Sequence, residues 1–282
     1  MTRKYPEMQG RLITVETLYD DMTRLGIKAG MTLIVHSSMK ALGGWMPSGP
    51  VDVILALEQA LGEEGTLVMP THTGGLSDPG GWSMPPVPQS WWEPIRRTMP
   101  AFDPDLSPTR LMGAIPECFR KQRGVIRSSH PQVSFAAWGK GAAEIAGEHS
   151  LDYGLGERSP LARLYDADGW VLLLGVGHGN NTSLHLAEIR AEYPGKKDLT
   201  VKAPIFRDGV REWASFRELD YDSDDFEEIG RSFAQDTGLV IRGQIAGAEV
   251  LLMPQKALVD YGVNWMESIR QAPDDDEAMQ DG

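Results

Sequence analysis

The chain has 282 residues, enough for one large domain or two modest ones, and 41% hydrophobic and 24% charged residues are ordinary proportions for a globular enzyme. Its one cysteine, Cys118, excludes an intramolecular disulfide and a cysteine-rich metal site, and its net charge of −13 argues against nucleic acid while permitting a cationic small-molecule partner. It has neither an apolar run approaching ~20 residues nor a signal-peptide pattern, so we expect a cytoplasmic protein without membrane contact.

The first third of the chain predicts a strand–helix–strand unit. Thr14 is a suitable N-cap for a helix whose apolar residues recur at helical spacing up to Gly26. A buried strand follows at 31–36, then a helix at 50–61 and a second apolar strand at 65–70. Strands joined through a helix pair in parallel, so we expect a parallel sheet here.

Residues 74–108 combine many glycines and prolines with three tryptophans, Trp82, Trp91 and Trp92. This composition forbids a long regular element, while the tryptophans argue for order. We expect an ordered loop that forms a lid or a binding wall, with a short helix near 91–97.

Shorter elements fill the middle of the chain. The apolar spacing predicts helices and strands at 111–120 (helix), 133–138 (strand), 142–148 (helix), 161–165 (helix) and 171–174 (strand).

After residue 193 the pattern becomes antiparallel. Strands at 201–206 and 210–219 flank Asp208-Gly209, a strong hairpin signal. A helix ending near 234, a second hairpin (238–243 with 248–253) and a final helix (255–269) follow.

These elements predict one α/β domain spanning 1–282. Its central, mainly parallel sheet is flanked by helices and carries a smaller antiparallel subdomain. The expected parts are a core at about 14–193, the subdomain at about 198–270 and a disordered acidic tail at about 272–282.

The most informative stretch is 171–193. A buried strand ends in three glycines (175, 177 and 179), and the helix that follows places Thr182, His185 and Glu188 three residues apart on one face. Sites in open α/β sheets are built just beyond the ends of such strands.

These side chains suit proton transfer. His185 can act as a general base near neutral pH, Glu188 can orient it, and Thr182 lies where a helix N-terminus favours developing negative charge. The alternative is a structural histidine with an ordinary contact one turn away. A second alternative is a metal site of His178, His185 and Glu188, although the His-Glu-x-x-His pattern of zinc proteases is absent from the sequence.

His36-Ser37-Ser38 also follows a buried strand and precedes a glycine loop and a helix. Hydroxyls and loop N–H groups in that position can hold a phosphate, although polar turn residues there are more common. Neither a Gly-x-Gly-x-x-Gly nor a Walker sequence supports a dinucleotide or nucleoside triphosphate.

Five segments together closely resemble the aminoglycoside 3-N-acetyltransferase family: Ile34–Ser38, Gly65–Thr71, Arg127–Pro131, Ser134–Gly139 and Gly175–Glu188. The resemblance spans about 14–265, and Asn181–Glu188 is its most specific part. It implies acetyl-CoA-dependent acetylation of the 3-amino group of 2-deoxystreptamine, and hence antibiotic resistance.

The resemblance also implies residue roles. It places the general base on His185, with Glu188 as its partner and Thr182 beside them, and implies that no metal is needed. Coenzyme A would be held by the first strand exit and nearby loops, for which the candidates are His36, Ser37, Ser38, Gly43, Thr71, Arg127, Ser128 and Phe135. Cys118 has no local base, so direct transfer is expected in place of an acyl-enzyme.

An aminoglycoside is a polycation, so acidic loop residues are candidates for its contacts: Asp78, Glu93, Asp103, Asp152 and Glu157. Three alternatives stay open: another amine as acceptor, a metal-dependent hydrolase and a non-catalytic binding protein. A homodimer is also possible.

Overall fold

The computed structural model describes residues 10–270, and within that range it has nine α helices and nine strands. The helices are α1 Val15–Leu25, α2 Pro50–Leu61, α3 Trp92–Thr98, α4 Ala114–Phe119, α5 Ala142–Ile145, α6 Pro160–Asp166, α7 Ser183–Arg190, α8 Phe226–Thr237 and α9 Gln255–Ile269. The strands are β1 Thr32–Ser37, β2 Thr66–Pro70, β3 Ile126–Arg127, β4 Phe135–Gly139, β5 Trp170–Leu174, β6 Asp198–Arg207, β7 Val210–Leu219, β8 Ile241–Ile245 and β9 Ala248–Pro254. The predicted acidic tail lies outside the described residues.

Seven strands form the central sheet in the order β3-β4-β2-β1-β5-β9-β8. Its three middle strands, β2, β1 and β5, are parallel, which confirms the pairing predicted from the strand–helix–strand order. The four outer pairings are antiparallel. The predicted α/β class is confirmed, but the sheet is parallel only at its centre, so the expected mainly parallel pairing holds for the three middle strands and not for the outer ones.

The second predicted hairpin requires a correction, because β8 and β9 extend the central sheet and do not belong to the antiparallel subdomain. β9 pairs with β5 along its length, from Trp170 opposite Pro254 to Leu174 opposite Val250. Val250 and Leu252 are buried in the main core, and that burial draws the hairpin onto the sheet. Within residues 10–270, only β6 and β7 form a separate sheet.

The core lies on both faces of the central sheet. Leu172 and Leu174 of β5 pack on the face covered by α1 and α2, whereas Val171 and Leu173 pack on the face covered by α6, α7 and α9. The continuous apolar run of β5 therefore reflects burial on both sides.

Local signals set several element ends. The Thr14 side chain accepts a hydrogen bond from Thr17 N at 3.2 Å and caps α1, as predicted. Helix α4 begins three residues later than expected, because Leu111 and Gly113 have φ angles of 61° and 89°. In the part of the chain that the structure describes, no helix has the length and apolarity to cross a membrane.

Candidate active site

The site lies at the carboxyl ends of the three parallel strands. His36 is near the end of β1, His72 follows β2, and the glycine loop after β5 leads to α7. Gly175 has a φ of 68°, and a Cβ there would lie 2.2 Å from Ala41 Cβ. Only glycine allows the β5 exit to approach the segment after β1 this closely.

His185 and Glu188 form the contact that their spacing predicts. His185 Nδ1 donates to Glu188 Oε2 at 2.9 Å across one turn of α7. The ring lies between Tyr221 and Phe226, with centroid distances of 4.7 and 4.8 Å, and the side chain keeps 17% exposure. His185 is thus held in one orientation and stays partly exposed; it does not itself line the two openings described below, but it packs against Tyr221, which lines the larger one.

Glu188 is fully buried, and its second oxygen is also occupied. Oε1 accepts hydrogen bonds from Arg270 Nη1 at 2.8 Å, from Asp222 N at 2.8 Å and from Tyr193 Oη at 3.4 Å. Burial alone would raise the pKa of Glu188, but the hydrogen bonds from His185 and Arg270 outweigh burial and lower it. The carboxyl group is therefore ionised at neutral pH.

Thr182 faces β1, because its Oγ1 lies 3.5 Å from His36 Nε2. His36 is only 4% exposed, and burial, assisted by the charges of His185 and His178, lowers its pKa to about 3. His36 is therefore a neutral ring at the back of the site. Thr182 is the N-cap of α7, and the preceding residue, Asn181, accepts from Ser183 N at 3.3 Å through its side chain.

A cleft of about 920 Å³ opens beside Tyr221. His72 lines it, and burial, followed by the charges of His185 and His36, lowers the pKa of His72 to about 3. The sequence did not single out His72, although His72 lies just beyond the end of β2, much as His36 lies near the end of β1. Its Nε2 is buried and finds no hydrogen-bond partner among residues 10–270.

A smaller recess of about 70 Å³ lies on the other side of Leu111 and Met112, which line both openings. His36, Ser37 and Thr182 also line it. Within the described range, the buried Ser37 Oγ makes no hydrogen bond. An orphaned hydroxyl in such a recess suits a polar ligand.

The other predicted coenzyme residues do not line these two openings. Ser38 N donates to Leu174 O at 2.9 Å, and Gly43 ends the 3₁₀ turn Met39–Leu42 with a φ of 69°. Thr71, Ser128 and Phe135 are at most 1% exposed.

Arg127 is also committed to the fold. Its guanidinium donates to Thr71, Ser134, Pro104 and Ser107, and it stacks on the Phe102 ring. Burial lowers the pKa of Arg127 to about 10. The geometry assigns these buried residues to the support of the strand ends.

The five predicted acidic contacts do not gather in one site, and Asp78 is the one that lines the large cleft. Asp78 lines the large cleft, where Arg96 binds both of its oxygens, and Glu93 contacts the same arginine. The Asp103 carboxylate accepts from Asp105 N and Leu106 N in its own turn.

Asp152 and Glu157 line a different depression of about 750 Å³. Asp152 contacts Arg217, and Glu157 forms two hydrogen bonds with Arg190.

Sequence reasoning missed Glu218, a buried acid in the large cleft. It is 7% exposed and accepts from Tyr221 Oη at 2.5 Å and from Gly154 N at 3.1 Å. Burial raises the pKa of Glu218, because the charged form is poorly solvated. Buried and exposed residues alternate along this part of β7, and that pattern could have indicated that Glu218 faces inward.

His178 packs against α8, where a Cβ on Gly230 would lie 2.2 Å from its ring. The alternative metal set of His178, His185 and Glu188 is not gathered: within residues 10–270, no three His, Cys, Asp or Glu side chains are arranged to hold a metal.

The sequence model of the aminoglycoside 3-N-acetyltransferase family matches residues 34–267. The SPbeta prophage-derived aminoglycoside N(3')-acetyltransferase-like protein YokD of Bacillus subtilis is 42% identical over 253 residues, covering 89% of this chain and 92% of that protein. Aminoglycoside N(3)-acetyltransferase VII of Streptomyces paromomycinus is 37% identical over 269 residues, covering 90% and 92%.

Solved structures that are similar to this chain point to the same family as these relatives. The crystal structure of YokD superposes with a TM-score of 0.88 at 41% identity, covering 91% of this chain and 94% of that chain. AAC-IIIb in binary complex with CoASH has a TM-score of 0.82 at 31% identity, covering 94% of this chain and 99% of that chain. AAC-VIa bound to sisomicin has a TM-score of 0.83 at 30% identity, covering 93% of this chain and 100% of that chain.

Proposed function

Because the chain belongs to the aminoglycoside 3-N-acetyltransferase family, we propose that it transfers acetyl from acetyl-CoA to the 3-amino group of an aminoglycoside's 2-deoxystreptamine ring, and so confers resistance. The observation that carries the proposal is His185, fixed by Glu188 through Nδ1 close to the large cleft.

His185 acts as the general base. The acceptor amine is an ammonium ion at rest, so it must lose a proton before it can attack a thioester. Nε2 takes up that proton, while the ionised Glu188 stabilises the resulting imidazolium through Nδ1. Cys118 lies in α4 against the core, so transfer is direct.

The thioester oxygen becomes negative during transfer and needs donors. The Thr182 hydroxyl is the candidate, because it lines the recess, whereas the first N–H groups of α7 already have acceptors in the chain. The orphaned Ser37 hydroxyl in the same recess fits a polar group of coenzyme A. The binary complex of AAC-IIIb with CoASH supports coenzyme A as the ligand, and the choice of this recess rests on the residues that line it.

The large cleft is the acceptor side. Glu218 is its buried acid and the candidate partner of a substrate ammonium, because its own donors, Tyr221 and Gly154, are neutral, whereas Asp78 is already paired with the cation Arg96. The sisomicin complex of AAC-VIa supports an aminoglycoside as the acceptor.

The charges of the cleft favour a second candidate. Arg96, Arg110 and Lys202 line it together with only two acids, Asp78 and Glu218. A polycation gains little in such surroundings, whereas an amine that also carries a carboxylate or phosphonate would be attracted. An acetyltransferase for that class of amine is therefore the alternative.

A thiol-release assay with acetyl-CoA tests both candidates. The parent and His185→Ala are compared on a panel of aminoglycosides and on amines that carry an anionic group, with and without a chelator. We expect turnover of aminoglycosides, resistant to the chelator and lowered about 10²–10⁴-fold in His185→Ala. Turnover of the anionic amines alone supports the second candidate, and full activity in His185→Ala contradicts the assignment of the base.

A further inference from the structure

We infer that Arg270, the residue after α9, is a positioning residue that keeps Glu188 ionised and thereby fixes the tautomer of His185. The inference rests on the proposed role of His185 as general base. Arg270 acts through Glu188 and does not touch the substrate.

Arg270 binds the oxygen of Glu188 that His185 leaves free. Arg270 Nη1 donates to Glu188 Oε1 at 2.8 Å, while His185 uses Oε2. The Glu188 side chain has no exposure and that of Arg270 has 10%. Because the Glu188 carboxylate is closed to solvent, it depends on donors from the protein, and Arg270 is the charged donor at Oε1.

Asp225 sets the direction of the guanidinium. Its two oxygens accept from Arg270 Nε and Nη2, both at 2.8 Å. Arg270 Nη2 also donates to the Asp222 carbonyl at 2.9 Å, and the group stacks on the Tyr193 ring at 4.8 Å. Two helix ends, the start of α8 and the end of α9, thus hold one cation against Glu188.

The protonation of Glu188 decides what His185 can do. An ionised carboxylate only accepts, so it requires a proton on Nδ1 and leaves a lone pair on Nε2. A protonated Glu188 would donate to Nδ1 and place the ring proton on Nε2, where it blocks the base. Without Arg270, either Glu188 takes up a proton or His185 retains one, and both outcomes remove the lone pair.

Other ionisable groups near the pair belong to four further segments. His36 of β1 and His72 after β2 are neutral, as their lowered pKa values require. Tyr221 stacks on the His185 ring and donates to Glu218, and Tyr193 donates weakly to Glu188. Unlike these four neutral groups, Arg270 brings a positive charge to Glu188.

Nitrogen NMR of protein labelled with ¹⁵N-histidine tests the inference without any substrate. His185 is assigned by the signals missing from His185→Gln. We expect the Nδ1–H tautomer in the parent at neutral pH, and the Nε2–H tautomer or the imidazolium in Arg270→Gln. Arg270→Lys keeps the positive charge and one donor but loses the planar guanidinium, which contacts Glu188 and Asp225 together. We therefore expect a mixture of the Nδ1–H form of His185 with its Nε2–H tautomer or imidazolium.

Arg190→Gln is the matched control. Arg190 also binds a carboxylate through two nitrogens, that of Glu157, and it lies on α7 itself, but its partner is exposed. We expect its His185 signals to match those of the parent. With an acceptor that the parent acetylates, kcat should fall about 10-fold or more in Arg270→Gln with KM little changed, and stay within about 2-fold in Arg190→Gln.

An unchanged His185 tautomer and protonation in folded Arg270→Gln, or an Nε2–H tautomer in the parent, overturns the inference. If Arg270→Gln does not fold, Arg270→Lys decides, and signals identical to those of the parent count against the inference. A parent that shows the Nδ1–H tautomer but acetylates none of the amines contradicts the proposed function and leaves the inference on Arg270 supported.

Discussion

Glu188 illustrates what the sequence reveals at the scale of single residues. Its contact with His185 follows from helical spacing, so the pair could be predicted. Arg270, Tyr221 and Phe226 come from distant parts of the chain and meet the pair only because α8 and α9 pack beside α7. Local periodicity carries no information about such contacts.

Glu188→Gln tests this residue directly. The amide keeps the size of the side chain but removes the charge that His185 and Arg270 share, so we expect kcat to fall about 10²–10⁴-fold. The free energy of unfolding should decrease by about 1–3 kcal/mol, because Arg270 loses one of its two anionic partners. Steady-state kinetics and urea unfolding measure the two effects.

Glu157→Gln is the control, since Glu157 contacts α7 through Arg190 at the surface. Its unfolding free energy should change by at most ~1 kcal/mol and its kcat should stay close to that of the parent. Glu188→Gln activity within a factor of three of the parent would contradict the proposed orientation of His185.

The glycine loop between β5 and α7 is set by packing between elements. Gly177 and Gly230 leave room for Glu227 and His178: a Cβ on Gly177 would lie 2.1 Å from Glu227 Oε1, and Glu227 also accepts from Gly179 N at 2.9 Å. The sequence indicated a strand exit from the glycines. It did not indicate that α8 holds the loop, because α8 is distant in the chain.

Gly230→Ala therefore reverses the usual helix preference. Alanine normally stabilises a helix interior by ~1 kcal/mol relative to glycine, but here the new methyl group meets the His178 ring at 2.2 Å. Either the ring or α8 must move, and we expect a net loss of about 1–3 kcal/mol together with reduced kcat.

Urea unfolding checks the Gly230→Ala prediction against Arg231→Ala, an exposed neighbour on α8 that should change stability by less than ~0.5 kcal/mol. A Gly230→Ala variant at least as stable as the parent would show that the loop does not depend on this contact.

Elements also show where prediction from sequence reaches its limit. Helices α2 and α9 match their predicted ends because each has a continuous apolar face and a clear start. Strands β8 and β9 were predicted as a hairpin, but the pairing of β9 with β5 depends on a contact between segments distant in the chain. Hairpin chemistry fixes local pairing and leaves the choice of sheet to the core.

At the scale of the whole molecule, the histidines couple the fold to pH. Burial is the main cause that lowers the pKa of His36, His72, His130 and His149, to about 3, 3, 4 and 3. His130 shows why: its Nδ1 accepts from Gln132 N and Val133 N, and its Nε2 donates to Leu151 O. A proton on Nδ1 would break both accepted bonds.

These four rings predict that stability decreases as pH falls below about 6.5. The unfolded chain then binds protons that the folded chain refuses, so each ring destabilises the fold by up to ~1.4 kcal/mol per pH unit until its folded pKa is reached. Glu58 and Glu218, whose pKa values burial raises, act in the opposite direction but are fewer. Relief of the −13 net charge sets in mainly below pH ~5, where most carboxylates gain protons. We therefore expect the free energy of unfolding, measured with urea, to decrease by about 2–4 kcal/mol between pH 7 and 5.5. A free energy of unfolding that stays constant or rises over that interval would mean that the histidines are not held neutral.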